Sequence, residues 1–147
     1  MEFSVDNQVE FSVDNQTNYL PNLYLLKSIA KSVTTKDIEL VICYNSYIQE
    51  LNKQFRQKDT ATDVLSFPYE NMPFTPIGSI VISLDYVKQK ALFFKHSIDD
   101  EFYLLFIHGL LHLLGYDHEL DNGEHRQKEE ELIKKFKLPD SLIVRNI

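Results

Sequence analysis

The sequence predicts a single α+β domain, a small mixed sheet packed with helices, on three observations. Apolar residues alternate or run together in short segments near the N-terminus and in the middle of the chain. Elsewhere they recur at helical spacing, with the helices concentrated toward the C-terminus. No linker or low-complexity stretch divides the 147 residues. With 44% apolar content, one domain of this length can build a sizeable core without disulfide support. The single cysteine, Cys43, has no internal partner; it follows the apolar run Ile38 to Ile42 and reads as a small buried hydrophobe.

The heptapeptide Glu2-Phe3-Ser4-Val5-Asp6-Asn7-Gln8 recurs as Glu10-Phe11-Ser12-Val13-Asp14-Asn15-Gln16, which reads as a short duplication or a cloning scar. Alternation of Val9, Phe11 and Val13 predicts one edge strand, the second copy ordered and residues 1–9 frayed. Leu23 to Val33 carries Leu23, Leu26, Ile29 and Ala30 at helical spacing, and Ile38 to Tyr44 is a buried strand. Ser46 to Gln57 is an amphipathic helix with Tyr47, Ile48, Leu51 and Phe55 inward and Ser46 as N-cap. Thr62 to Pro68 alternates and ends in proline, as an outer strand does, and a second strand spans Ile77 to Ser83. Leu84 to Lys95 and Ile98 to Leu114 read as helices. The last helix covers Asp121 to Phe136, with Leu132, Ile133 and Phe136 inward.

A formal charge of −7 argues against a surface that tracks nucleic acid everywhere, because phosphate-binding domains usually carry basic excess. It leaves room for a local basic patch beside a bound dication. No basic N-terminal region leads into an apolar segment, and the longest apolar stretches are too short to span a bilayer, so cytoplasmic localisation and no membrane partner are expected.

The chemistry concentrates in His108-Gly109-Leu110-Leu111-His112-Leu113-Leu114-Gly115-Tyr116-Asp117-His118. His108 and His112, four apart on a helix, share one face and can reach one ion. Gly115 suits the left-handed residue that ends a helix, so the chain turns back and His118 approaches the same point. Three neutral imidazoles with an open fourth position describe a catalytic zinc site, one ion per chain, although such sites also accept other transition metals. A dication held that way lowers the pKa of a bound water to about 7. The bland reading, satisfied core histidines on an apolar helix, weakens when three of the five histidines fall in eleven residues. No further Cys or His reads as near the cluster; His96 and His125 are expected at the surface. The spacing matches the metzincin pattern H-E-x-x-H-x-x-G-x-x-H except that Gly109 replaces the glutamate base of peptide hydrolysis.

This run, with Leu51 to Asp59 (Leu-Asn-Lys-Gln-Phe-Arg-Gln-Lys-Asp) and Thr62 to Pro68 (Thr-Asp-Val-Leu-Ser-Phe-Pro), resembles the YbeY family of metal-dependent endoribonucleases. The resemblance implies a fold related to zinc peptidases, with a metal-binding helix and three ligands matching His108, His112 and His118. It also implies a functional arginine matching Arg56, catalytic together with His112. The implied activity is single-strand-specific cleavage in maturation of ribosomal RNA, at the 3′ end of the small-subunit precursor, and in ribosome quality control. RNA and small-subunit assembly proteins are then the partners, and DNA is not expected. One departure is visible: many members carry Gly-Asp where this chain has Gly78-Ser79, so a ligand- or substrate-orienting role there would fall to an uncharged Ser79.

Arg56 offers a planar fork that pairs with phosphate through two hydrogen bonds. From the residues alone it equally reads as a solvated arginine, and only the resemblance favours function. Lys53 and Lys58 either extend a positive patch or are solvated, and Ser66 either lines a groove or is an ordinary strand residue. Asp117 either orients an imidazole or caps the turn after Gly115. Tyr116 is expected to pack on the helix end. Either water or a ribose 2′-hydroxyl could attack phosphorus. Two other function classes stay open: a zinc peptidase or amidase, and a non-catalytic ribosome-assembly factor with a structural zinc.

Overall fold

The computed structural model describes residues 10–70 and 72–145. Ten elements follow in order: β1 (Phe11–Asn15), α1 (Leu23–Lys31), β2 (Ile38–Cys43), α2 (Asn45–Arg56), β3 (Val64–Pro68), β4 (Gly78–Ser83), α3 (Leu84–Phe94), α4 (Ile98–Leu113), α5 (Glu124–Lys135) and α6 (Ser141–Arg145). The predicted elements are all present, while the short α6 has no counterpart in the sequence expectations. The first heptapeptide copy, with the fraying expected for it, lies outside the described residues. The second forms β1.

The strands make one mixed sheet in the order β1-β2-β4-β3, with β1, β2 and β4 mutually parallel and β3 antiparallel to β4. β1 and β3 are the two edges, as the alternation of one and the proline of the other predicted. Both faces of the central strands are covered, so β4 is buried at every residue. Ile38, Leu40, Ile42, Ile80 and Ile82 point into the larger core with α1, α3, α4, α5 and α6. Cys43 and Val81 point the other way onto Ile48 of α2.

α4 is the centre of the larger layer. Phe102, Leu104, Leu105, Phe106, Ile107, Leu110 and Leu111 are all buried, each worth about 1.5–3 kcal/mol on full burial. Phe11 of β1 touches Phe106, with ring centroids 5.7 Å apart. Ser97 caps its start by accepting from the Asp100 N–H at 3.0 Å, and three acidic residues occupy the first turn, matching the helix dipole.

Some local expectations are corrected. Ser46 is not the cap of α2: the helix begins at Asn45, whose N–H donates to Asp85 Oδ2 at 2.8 Å, so the cap comes from a neighbouring helix rather than from a local side chain. Tyr47 and Phe55 do not face inward. Phe55 is 55% exposed and lies edge-on to Phe67 of β3, while Asn52 takes the inward place and donates to Thr60 O at 2.9 Å. Leu23 is likewise exposed at the start of α1. No helix of the described residues is long and apolar enough to cross a membrane.

Candidate metal centre

α4 ends as the glycine predicted. Gly115 has φ +99°, its N–H donates to His112 O at 3.0 Å, and the Tyr116 N–H reaches back to Leu111 O at 3.0 Å. This pair of bonds is the Schellman closure, and it satisfies two of the helix's last carbonyls while reversing the chain. Tyr116 packs against the core, as expected. The next turn is held by Asp117: its carbonyl accepts from Leu120 and Asp121, and its carboxylate accepts from the Glu119 N–H at 3.0 Å. Of the two roles left open for Asp117, the hydrogen bonds show the turn.

His118 returns to the face of α4 that carries His108 and His112. Ring centroids are 4.8 Å apart for His108 and His112, 5.1 Å for His108 and His118, and 5.6 Å for His112 and His118. One nitrogen from each lies within 4.8 Å of the others. Burial first, and then the neighbouring imidazoles His108, His125 and His118, push the His112 pKa below its ordinary value. A neutral ring keeps the lone pair that a metal needs.

Two groups that sequence reasoning missed complete the cluster. His125, expected at the surface, is 0% exposed and stands among the three rings, 4.6 Å from His108, 4.8 Å from His112 and 5.4 Å from His118 between centroids. Glu129, 1% exposed, accepts a hydrogen bond from His108 Nδ1 at 2.7 Å, and its same oxygen is 3.6 Å from His125 Nε2. Both come from α5, whose charged composition hid a buried stripe at 125, 129, 132 and 133; the i, i+4, i+7, i+8 spacing was the available clue. α5 also starts later than expected, because Asp121 caps it through the N–H groups of Gly123 and His125, each at 2.9 Å. His96 is the second histidine wrongly placed at the surface. Its ring is 3% exposed, with Nδ1 3.5 Å from Ser141 Oγ.

The histidines open onto a cleft of about 810 Å³ between α4 and β3. Arg56, Lys58, Lys90, Ser66 and Asp117 contribute to its lining; Lys53 lies outside it, exposed on α2. Arg56 is not merely solvated: Nη2 donates to Ser66 O at 2.7 Å, and Cζ lies 5.2 Å from the Phe67 ring centroid. The Ser66 hydroxyl donates to Gly109 O at 3.0 Å, tying β3 to α4. Lys90 pairs with Asp63 at 2.8 Å; burial works to raise the Asp63 carboxyl, but the Lys90 bond and charge and the Val64 N–H overcome it and hold it below its usual value. Ser79 does not line the cleft and stands opposite Phe67 in the β3–β4 ladder. It lies on β4 between Ile80 and Gly78, on the sheet face opposite the one Ile80 turns to α4, and Tyr69 is its neighbour there.

Gly109 explains the missing glutamate. A Cβ there would stand 3.0 Å from Ile80 Cγ2, 3.0 Å from Ser66 Oγ and 3.2 Å from Val64 Cγ2, so the place where a metzincin carries its base is filled by the sheet. The donor set fits a borderline metal. Three imidazole nitrogens converge, one of them backed by a carboxylate, at the wall of an open cleft.

A family model described as Endoribonuclease YbeY matches residues 4–137. A protein named Endoribonuclease YbeY from Aliarcobacter butzleri is 66% identical over 123 residues, covering 82% of this chain and 88% of that protein. One of the same name from Nautilia profundicola is 62% identical over 130 residues, covering 88% and 94%. Among solved structures, a solution structure from Thermotoga maritima is similar with TM-score 0.61 and 28% identity, covering 86% of this chain and 88% of that one.

Proposed function

The chain belongs to the endoribonuclease YbeY family, and on that premise we propose that it is a zinc-dependent endoribonuclease cutting single-stranded segments of ribosomal RNA precursors. The observation that carries the reading is one cleft lined both by the His108, His112 and His118 donor set and by Arg56 docked on the outer strand.

His108, His112 and His118 would hold the ion. A dication there supplies positive charge at a phosphate oxygen and makes water acidic enough to act near neutral pH. Arg56 spends one guanidinium N–H on Ser66 O, so its other donors remain for a non-bridging phosphate oxygen on which charge develops. The Phe67 ring and the Ser66 carbonyl fix the fork before substrate arrives, which lowers the ordering cost of binding. Lys58 adds charge to the cleft lining, and Lys53, one turn before Arg56 on the exposed side of α2, adds charge outside it. Ser66 Oγ, with its proton committed to Gly109, keeps lone pairs for a ribose hydroxyl. The tight packing at Gly109 supports phosphodiester over peptide hydrolysis, because no side-chain base fits there. The physiological substrate in this reading is the 3′ end of the small-subunit precursor in the cytoplasm, reached with small-subunit assembly proteins.

The test is Arg56→Ala, assayed for metal content and for cleavage of a single-stranded precursor segment. The variant keeps its metal and loses cleavage by roughly 10–100-fold, the size of a charge-assisted hydrogen-bond pair; cleavage equal to the parent removes Arg56 from the mechanism. Product ends assign the nucleophile: a 5′-phosphate identifies water, and a 2′,3′-cyclic phosphate identifies the ribose hydroxyl.

A further inference from the structure

We infer that His125 and Glu129 of α5 are positioning residues for the metal: Glu129 locks His108 in the tautomer whose Nε2 is the donor, and His125 braces the three ligand rings from behind. This deepens the reading of His108, His112 and His118 as ligands and rests on it.

α5 buries polar groups alongside apolar ones. Its inward stripe is His125, Glu129, Leu132 and Ile133, two polar groups followed by two apolar ones. Leucine or methionine at 125 and 129 would pack that stripe without cost, whereas a carboxylate 1% exposed and an imidazole 0% exposed must each recover the hydration they lose. Glu129 does so in part through His108, whose Nδ1–H it accepts at 2.7 Å. A histidine that donates from Nδ1 presents an unprotonated Nε2, and the carboxylate makes that nitrogen more basic.

The His125 ring is packed but not hydrogen-bonded: neither ring nitrogen has a hydrogen-bond partner among the described residues, and the Glu129 oxygen it faces is 3.6 Å away, just beyond hydrogen-bonding range. Its ring stacks on His108 at 4.6 Å with an interplanar angle of 25° and meets His112 nearly edge-on at 78°. It is not a fourth ligand to the same ion: the nitrogens of His108, His112 and His118 converge as one group, whereas His125 groups with His108 and Glu129. The chain also couples the two sides. Asp121, held by the Asp117 carbonyl in the turn that carries His118, accepts from the His125 N–H at 2.9 Å, so the docking of α5 and the placement of His118 depend on one short hydrogen-bonded segment.

The experiment measures Zn²⁺ affinity by chelator competition and the visible spectrum of the Co²⁺-loaded protein, for the parent, His125→Phe and Glu129→Gln, with apo melting curves alongside. Phe keeps the ring volume and Gln keeps the length. Both variants are expected to bind one Zn²⁺ roughly 10–100-fold more weakly, the usual effect of losing a group that orients a ligand. The Co²⁺ bands shift and the apo melts stay close to the parent. In the apo protein, ¹⁵N spectra of Glu129→Gln show His108 losing its single Nδ1–H tautomer. Parent-like affinity and spectra in both variants overturn the inference, as does an affinity loss matched by an equal loss of apo stability, which is the signature of packing alone. Two Zn²⁺ per chain in the parent, one lost in either variant, also overturns it by making the pair ligands of a second ion. Absence of metal in the parent, or retention in His112→Ala, contradicts the ligand assignment itself and is thereby distinguishable.

Discussion

Gly109→Ala separates two opposed effects at the position that distinguishes this site from a peptidase. In an exposed helix the change stabilises by about 1 kcal/mol. Here the new methyl would meet Ile80 Cγ2 and Ser66 Oγ at 3.0 Å and Val64 Cγ2 at 3.2 Å, all short of comfortable contact. None of the three yields easily. Ile80 is buried in the central strand, Ser66 Oγ is already bonded to Gly109 O, and moving β3 outward strains the Arg56 bond to Ser66 O. Overpacking of this kind costs about 1–3 kcal/mol, so the balance is a net loss near 1 kcal/mol and a melting point lower by about 2–4 °C. His108 is adjacent to the new methyl and His112 one turn on, so a lifted α4 carries both away from His118 and weakens metal binding as well. Calorimetry of the apo protein with a chelator-competition titration reads both quantities. An Ala variant more stable than the parent by the full helix preference, with unchanged metal affinity, refutes the close-packing argument.

Gly115→Ala places no atom within 4 Å of the new Cβ, so only the φ of +99° opposes it, at about 1–2 kcal/mol. Denaturant titration is expected to show that loss, with weaker metal binding because His118 follows from the same turn; a parent-like midpoint argues against the Schellman closure. Lys90→Met leaves Asp63 without its cation and destabilises by about 1 kcal/mol at pH 7, the modest value reflecting partial exposure of both side chains. Asp63 titrates lower in the folded protein than in the unfolded chain, so its stabilisation is present above the unfolded pKa of about 3.9 and is lost as pH falls through the folded value. Urea unfolding of the two proteins therefore converges in acid; a gap that stays constant from pH 7 to pH 3 contradicts the pairing. Burial pushes the Cys43 thiol up to about 12, so a thiol reagent at pH 8 is expected to react only after denaturant is added.

What was readable in the sequence was what local chemistry decides. The i, i+4 histidines, the helix-ending glycine and the returning His118 are encoded within eleven consecutive residues, and the structure assembles them as expected. The α+β class and the outer positions of β1 and β3 followed from alternation and from Pro68. What was hidden depends on distant partners. Asp85 caps α2 from forty residues away, so Ser46 looked like the cap. Phe55 finds Phe67 of β3 rather than the core. His125 and Glu129 sit in a segment so charged that its apolar residues alone could not reveal which face α4 covers, and only the packing of α5 shows that two of its polar groups belong to the histidine cluster.

The most direct measurement is cleavage of a structured ribosomal RNA precursor fragment by purified protein and by His112→Ala from the same preparation, with the metal in each quantified. The account predicts about one zinc per chain and single-strand cleavage for the parent, and loss of both in a variant that remains folded. Equal cleavage by the two proteins, or full metal content in His112→Ala, contradicts it.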